Sequence, residues 1–148
     1  MSRDPFDIAT YDFDLPRALK VAEAAVAGGV DYLEAGTPLI KSEGLDAVRK
    51  LREMFPGQTI IADMKTMDAG KIEAEAAAKA GADVMTVCGA ATESTIRECV
   101  ESGRQYGIDV AVDLLGIADH FSLARKAEEL GVAWLDVHCP IDAQMLGE

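Results

Sequence analysis

The sequence predicts an α/β protein built on a parallel sheet, and three observations carry that expectation. A glycine followed by a β-favouring run recurs at Gly29-Val30-Asp31, Gly57-Gln58-Thr59, Gly81-Ala82-Asp83, Gly107-Ile108-Asp109 and Gly131-Val132-Ala133, at spacings of 28, 24, 26 and 24 residues. Each run leads into a short apolar segment, and each glycine closes a stretch with helical periodicity, so the unit is strand, helix, strand. The chain of 148 residues, 49% hydrophobic and 27% charged, is the size of a single domain with a sizeable core, so residues 1–148 are read as one domain.

The elements follow in order. Phe6-Asp7-Ile8-Ala9-Thr10-Tyr11 opens as a strand, and Asp14 can cap a helix from Leu15 to Ala27 that buries Leu19, Ala22 and Val26 on one stripe and stops at Gly28-Gly29. A second strand sits at Tyr32-Leu33. Leu45, Val48, Leu51 and Phe55 stripe the next helix, which Pro56-Gly57 ends. Ile60-Ile61-Ala62 is the third strand, followed by a helix from Ala69 to Ala80; Val84-Met85-Thr86-Val87 is the fourth, followed by a helix striped by Ile96, Cys99 and Val100 and ended near Gly107. Val110-Ala111-Val112, a helix from Asp119 to Leu130, and Trp134-Leu135-Asp136-Val137 complete six strands and five helices.

Alternating βα units imply right-handed crossovers and a sheet buried on both faces. Two architectures satisfy that pattern. A doubly wound sheet suits the length, but its first strand normally runs into a glycine-rich phosphate loop, and Asp12-Phe13-Asp14 is not one. A (β/α)8 barrel suits the regular period, but eight units need roughly 200 residues or more.

Charge removes several function classes. With 14 Lys+Arg against 26 Asp+Glu the net charge is −12, and no basic cluster exists to hold a phosphate backbone, so nucleic acid is not an expected partner. No apolar run approaches the ~18 residues of a membrane span, and the first residues lack the basic-then-apolar order of a secretion signal, so the expectation is a cytoplasmic protein without a membrane partner. Cys88, Cys99 and Cys139 form an odd set without C-x-x-C spacing and are expected as free thiols, Cys139 as a small packing residue.

In parallel α/β proteins the chemistry lies at the C-terminal ends of the strands. Here those ends carry Asp12, Glu34, Asp63 with Lys65 two positions on, Asp113 and His138. Four carboxylates converging on one rim repel one another, which stability alone does not explain. Asp12 can equally cap its following loop, and the spacing of Asp68 before the helix Ala69 to Ala80 points to capping. Lys65 stands between Asp63 and Asp68 and is placed to share charge with both. Glu34 and Asp63, on adjacent strand ends with room for water and substrate oxygens, suit Mg²⁺, which keeps few protein ligands.

Three motifs, EAGTPLIKSEG (Glu34 to Gly44), ADMKTMDAG (Ala62 to Gly70) and VHCPIDAQ (Val137 to Gln144), resemble those of the 3-hexulose-6-phosphate synthase family in the orotidine 5′-monophosphate decarboxylase superfamily of (β/α)8 barrels. The resemblance covers essentially the whole chain. It implies a Mg²⁺-dependent aldolase, or aldehyde-lyase, that joins formaldehyde to the sugar phosphate ribulose 5-phosphate through an enediolate, or runs the reverse. It also implies a homodimer with sites at the interface. By motif, Glu34 and Asp63 would bind Mg²⁺, Lys65 would stabilise the enediolate, Asp68 would reach into the partner's site, His138 and Asp113 would handle protons, and Asp12 would contact substrate.

A related decarboxylase of 3-keto-L-gulonate 6-phosphate is the rival within the resemblance. It carries an Arg three residues after the His of the sixth strand, where this chain has Ile141. The resemblance further implies two more strands whose loops grip the substrate phosphate, so the expected architecture is a (β/α)8 TIM-barrel type that is incomplete, with six βα units and the last two strands absent. A truncated barrel serving only as an assembly module is the non-catalytic alternative.

Overall fold

The structure, a computed structural model, describes residues 7–10 and 14–147. Its elements run β1 (Asp7–Thr10), α1 (Leu15–Ala27), β2 (Tyr32–Ala35), α2 (Thr37–Glu43), α3 (Asp46–Met54), β3 (Thr59–Thr66), α4 (Gly70–Ala80), β4 (Val84–Cys88), α5 (Glu93–Tyr106), β5 (Asp109–Asp113), α6 (His120–Leu130), β6 (Trp134–Asp136) and α7 (Ile141–Leu146). The six strands lie in chain order, β1 to β6, and every neighbouring pair is parallel. That order belongs to a barrel-type sheet. A doubly wound sheet reverses its strand order at a switch point, and no reversal occurs among these strands.

Alternation along the strands sorts side chains onto two faces. Leu33, Ile60, Ala62, Met85, Val87, Val110 and Val112 point to one face and join Ala22, Val48, Leu51, Ala77 and Ile96 from the helices in the main core. The intervening residues line the inside. Ile61, Val84 and Ala111 form a small cluster there with the half-buried Tyr32 and Trp134, whose rings meet at 5.3 Å. Above this apolar floor, in the chain direction, the inner positions become polar: Asp63, Thr86, Asp113 and Asp136.

The helix ends follow their sequence signals. Asp14 accepts from the Arg17 N–H at 3.3 Å, Thr92 from the Thr95 N–H at 3.2 Å and Asp119 from the Ser122 N–H at 3.0 Å. Gly70 sits where α4 meets α5. A Cβ there would stand 2.4 Å from the Thr95 carbonyl oxygen and 2.9 Å from Cys99 Sγ, so the two helices approach backbone to side chain.

Several elements differ from the expected pattern. Two short helices, α2 and α7, had no readable stripe: α2 spans 7 residues around Pro38 in its first turn, and α7 spans 6 residues with none buried. β3 continues past Asp63 to Thr66. Its pairing with β4 slips there, Ala62 facing Met85 but Thr66 facing Val87, so four steps on β3 match two on β4. β6 stops at Asp136, short of Val137. Cys139 is exposed rather than a packing residue, and all three cysteines are free.

Among the described residues the sheet has two edges, β1 and β6. Around the β6 edge Phe121, Val137, Met145 and Leu146 are largely exposed. Among the described residues no helix is long and apolar enough to cross a membrane.

Candidate functional site

Lys65 is the centre of the polar end of the sheet. Alternation along β3 turns Asp63 and Lys65 to the same face, and the Lys65 ammonium donates to Asp63 Oδ1 at 3.1 Å. It also donates to Asp113 Oδ2, at the end of β5. His138, two residues beyond β6, brings Nδ1 to 3.5 Å from the ammonium, 3.3 Å from Asp113 Oδ2 and 4.0 Å from Asp136 Oδ2. The Asp63 and Asp113 side chains are only 3% and 0% exposed, so the ion pairs have little water to weaken them.

Each buried carboxylate has further partners. Asp63 Oδ2 accepts from Thr37 Oγ1 at 2.6 Å and from the Thr37 N–H at 3.3 Å, which explains why α2 starts where it does: its first residue is bonded to the site. Asp63 Oδ1 also accepts from Thr86 Oγ1 on β4 at 2.8 Å. Asp113 Oδ1 accepts from the Leu115 N–H at 2.7 Å. Carboxylates with this many donors are held in one orientation, and through them so is the ammonium.

The electrostatics follow from this packing. Burial works against the charged form of Lys65, but the hydrogen bond to Asp113 and the charge and hydrogen bond of Asp63 outweigh it and hold the ammonium above the usual lysine range. In Asp136 burial prevails and favours the uncharged form: burial first, then the charge of Asp113, raises its carboxyl above the usual range, against the partial relief of Lys65 and His138. Lys65 thus stays charged at neutral pH. A fixed ammonium opening on a cavity of about 220 Å³ beside Thr37, Leu115, His138 and Ile141 is a charge prepared for an oxyanion, with an imidazole within reach for proton transfer.

The structure brings Asp63, Lys65, Asp113 and His138 together. Glu34 lines a separate cavity, also about 220 Å³, with Thr86, Trp134 and Asp136 on its wall. Asp68 stands apart: it is exposed, and its carboxylate accepts from the neighbouring Ala69 N–H at 2.7 Å. Capping by Asp68 is corrected accordingly, because the N-cap of α4 is Ala69, without a side-chain cap bond. Lys65 shares its charge with Asp63 and Asp113, not with Asp68. Asp12 lies outside the described residues.

Asp136 was missed in the sequence reading. It shares a face with His138, two residues on, and its own signal was a carboxylate interrupting the apolar run Trp134 to Val137. Asp113, Asp136 and His138 can each offer a ligand atom within 4.8 Å of the others. The donor chemistry fits a hard divalent cation: Asp63, Asp113 and Asp136 supply carboxylate oxygens beside the Lys65 ammonium, and Glu34 shares a cavity wall with Asp136. Asp63 already accepts four hydrogen bonds, so ligation through it would replace one, the longest being that from the Thr37 N–H at 3.3 Å.

Both the sequence and the fold match known proteins. The model of the Orotidine 5'-phosphate decarboxylase / HUMPS family matches residues 7–147. A 3-hexulose-6-phosphate synthase from Mycobacterium gastri is 41% identical over 138 residues, which is 93% of this chain and 64% of that protein. The crystal structure of 3-hexulose-6-phosphate synthase from Salmonella typhimurium superposes with a TM-score of 0.92 at 34% identity, over 98% of this chain and 68% of that one. A 3-keto-L-gulonate-6-phosphate decarboxylase from Vibrio cholerae superposes at 0.89 with 33% identity, over 99% and 67%. The chain spans a little under two thirds of the length of the curated relatives it matches, 64% and 65% for the first two.

Proposed function

The chain belongs to the Orotidine 5'-phosphate decarboxylase / HUMPS family, and on that premise we propose that its site performs the aldol reaction of ribulose 5-phosphate with formaldehyde, or its reverse. The observation that carries the reading is the Lys65 ammonium, fixed between Asp63 and Asp113 beside His138.

The chemistry needs what that arrangement supplies. Taking a proton from C1 of ribulose 5-phosphate moves negative charge onto the ketone oxygen at C2. A charge already desolvated and oriented stabilises that oxygen without reorganisation. Lys65 is that charge. Asp63 and Asp113 hold it, and His138, close to Asp113 and Lys65, moves the proton. The C1 carbon then forms its new bond to the formaldehyde carbon, and the formaldehyde oxygen takes up a proton to become the new hydroxyl. Glu34 and Asp63 are the residues that would hold Mg²⁺, which when bound supplies Lewis-acid polarisation of the substrate oxygens. Asp12 would contact the substrate. Asp68, exposed beside α4, would reach the site of a partner subunit in a homodimer.

A second reading, decarboxylation of a keto-sugar-acid phosphate, is supported by the likeness to the Vibrio cholerae decarboxylase. Its enediolate would form by loss of CO₂, with the same Lys65 stabilising it. The two separate by substrate. We expect formaldehyde consumption with ribulose 5-phosphate that depends on Mg²⁺ and stops with chelator, on protein first shown to be folded. Consumption would support the aldol reaction. CO₂ release from 3-keto-L-gulonate 6-phosphate without formaldehyde consumption would replace it by the second reading. The absence of both, also when two further βα units from a relative are added in trans, would leave a non-catalytic assembly module.

A further inference from the structure

Lys65 is held in a backbone conformation that L residues avoid. Its φ is +45°, in the left-handed region, where Cβ crowds the following carbonyl. It lies within the slip between β3 and β4, where the pairing jumps from Ala62 opposite Met85 to Thr66 opposite Val87. Two side chains of β4 grip it there. The Lys65 N–H donates to Thr86 Oγ1 at 3.0 Å, and the Cys88 thiol donates to the Lys65 carbonyl oxygen at 3.3 Å.

Thr86 and Cys88 are two residues apart and so share the inner face of β4. The Thr86 hydroxyl acts in two directions. It accepts from the backbone of Lys65, and its single proton goes to Asp63 Oδ1 at 2.8 Å, the same oxygen that receives the Lys65 ammonium. One hydroxyl therefore sets both the root of the lysine and the carboxylate at its tip. Burial pushes the Cys88 thiol up, with the charge of Asp113 adding to it, and this keeps the proton on sulfur that the bond to Lys65 requires.

We propose that Thr86 and Cys88 are the positioning residues of this site, holding Lys65 in its left-handed turn so that its ammonium stands between Asp63 and Asp113. Both act through the backbone of Lys65. A regular β conformation at Lys65 would aim the side chain along a different line. A displacement of this kind, on the order of 1 Å, costs an active site about 10²-fold in rate. The kinetic part of the proposal rests on the aldol reaction; the geometric part does not.

The test is a pair of substitution series on the full chain, Thr86→Val against Thr86→Ser and Cys88→Ala against Cys88→Ser. It is read by kcat and KM for ribulose 5-phosphate and by the ¹⁵N signal of the Lys65 ammonium, assigned with Lys65→Arg. Thr86→Val keeps the shape and removes the hydroxyl; it is expected to lower kcat by about 10²-fold with little change in KM, and to abolish the slowly exchanging ammonium signal. Thr86→Ser restores both. Cys88→Ala gives a smaller loss in the same direction, and Cys88→Ser reverses it. Thr86→Val with the wild-type ammonium signal and kcat, and only a lower melting temperature, would overturn the proposal. So would a failure of Ser to restore what Val removes. If the wild type consumes no formaldehyde but the ammonium signal follows the series, the positioning stands and the reaction reading falls. Should Thr86→Val not fold, the Cys88 pair decides by the same two readings.

Discussion

Replacing Lys65 by Met keeps most of the side chain's volume and removes the ammonium that two buried carboxylates share. Asp63 is 3% and Asp113 0% exposed, so neither recovers water when the cation goes. Breaking a buried pair by deleting one partner costs about 3–5 kcal/mol, because the remaining charge is left uncompensated. Against a total stability of ~5–15 kcal/mol that is a large fraction, and at ~2–4 °C per kcal/mol it lowers the melting temperature by roughly 6–20 °C. The decisive assay is a double-mutant cycle by urea denaturation with Asp113→Asn. In that background the cost of Lys65→Met should fall by about 1–3 kcal/mol, since one uncompensated charge is already gone. The pH dependence has a sign as well. A lysine whose folded value is raised contributes fully below its ordinary value of 10.5 and loses that contribution as pH rises through the folded value. The gap between wild type and Lys65→Met should therefore be full at pH 8 and narrow only above the ordinary lysine range. Costs that add within about 0.5 kcal/mol would refute the ion-pair reasoning.

Asp136→Asn should raise the melting temperature at pH 7. A carboxyl raised by burial and by Asp113 opposes folding once pH climbs above its ordinary value of 3.8, so the advantage of Asn should vanish below that pH, and a thermal melt series in pH reads it. Gly70→Ala should cost about 1–3 kcal/mol by urea denaturation, because its Cβ would meet the Thr95 carbonyl oxygen at 2.4 Å, whereas Gly57→Ala, with nothing within 4 Å, should lie within about 0.5 kcal/mol of wild type. Mg²⁺ at about 100 times its Kd should stabilise the wild type by about 2.7 kcal/mol and leave Glu34→Gln unshifted; equal shifts, read by melting temperature, would remove Glu34 from the ligand set.

The period of glycines and stripes made the alternation of parallel strands and helices legible, because each βα unit repeats the same strand and buried helix face; the barrel order of the strands came only with the family resemblance. The short helices α2 and α7 were not legible. Periodicity needs several turns to be read, and α2 is 7 residues long while α7 buries none of its 6. Within the site, Asp63, Lys65, Asp113 and His138 were readable as polar residues at strand ends. What joins Lys65 to Asp113 rather than to Asp68 is the placing of β5 two strands from β3 in the sheet, a three-dimensional neighbourhood that no local pattern records. Thr86 looked like one polar residue in an apolar run. Its role emerges only when the left-handed Lys65 is seen beside it. Asp136 was passed over because its strand reads as apolar until the inner face is laid out.

Deuterium uptake at C1 of ribulose 5-phosphate in D₂O tests the central claim most directly, since it follows the first proton transfer alone and needs no formaldehyde. The folded chain with Mg²⁺ should exchange C1–H above the buffer background. Lys65→Ala should slow that exchange by about 10²–10³-fold, as loss of other preorganised charge-stabilising groups does. Equal exchange in wild type and Lys65→Ala would contradict the assignment of Lys65 as the group that stabilises the enediolate.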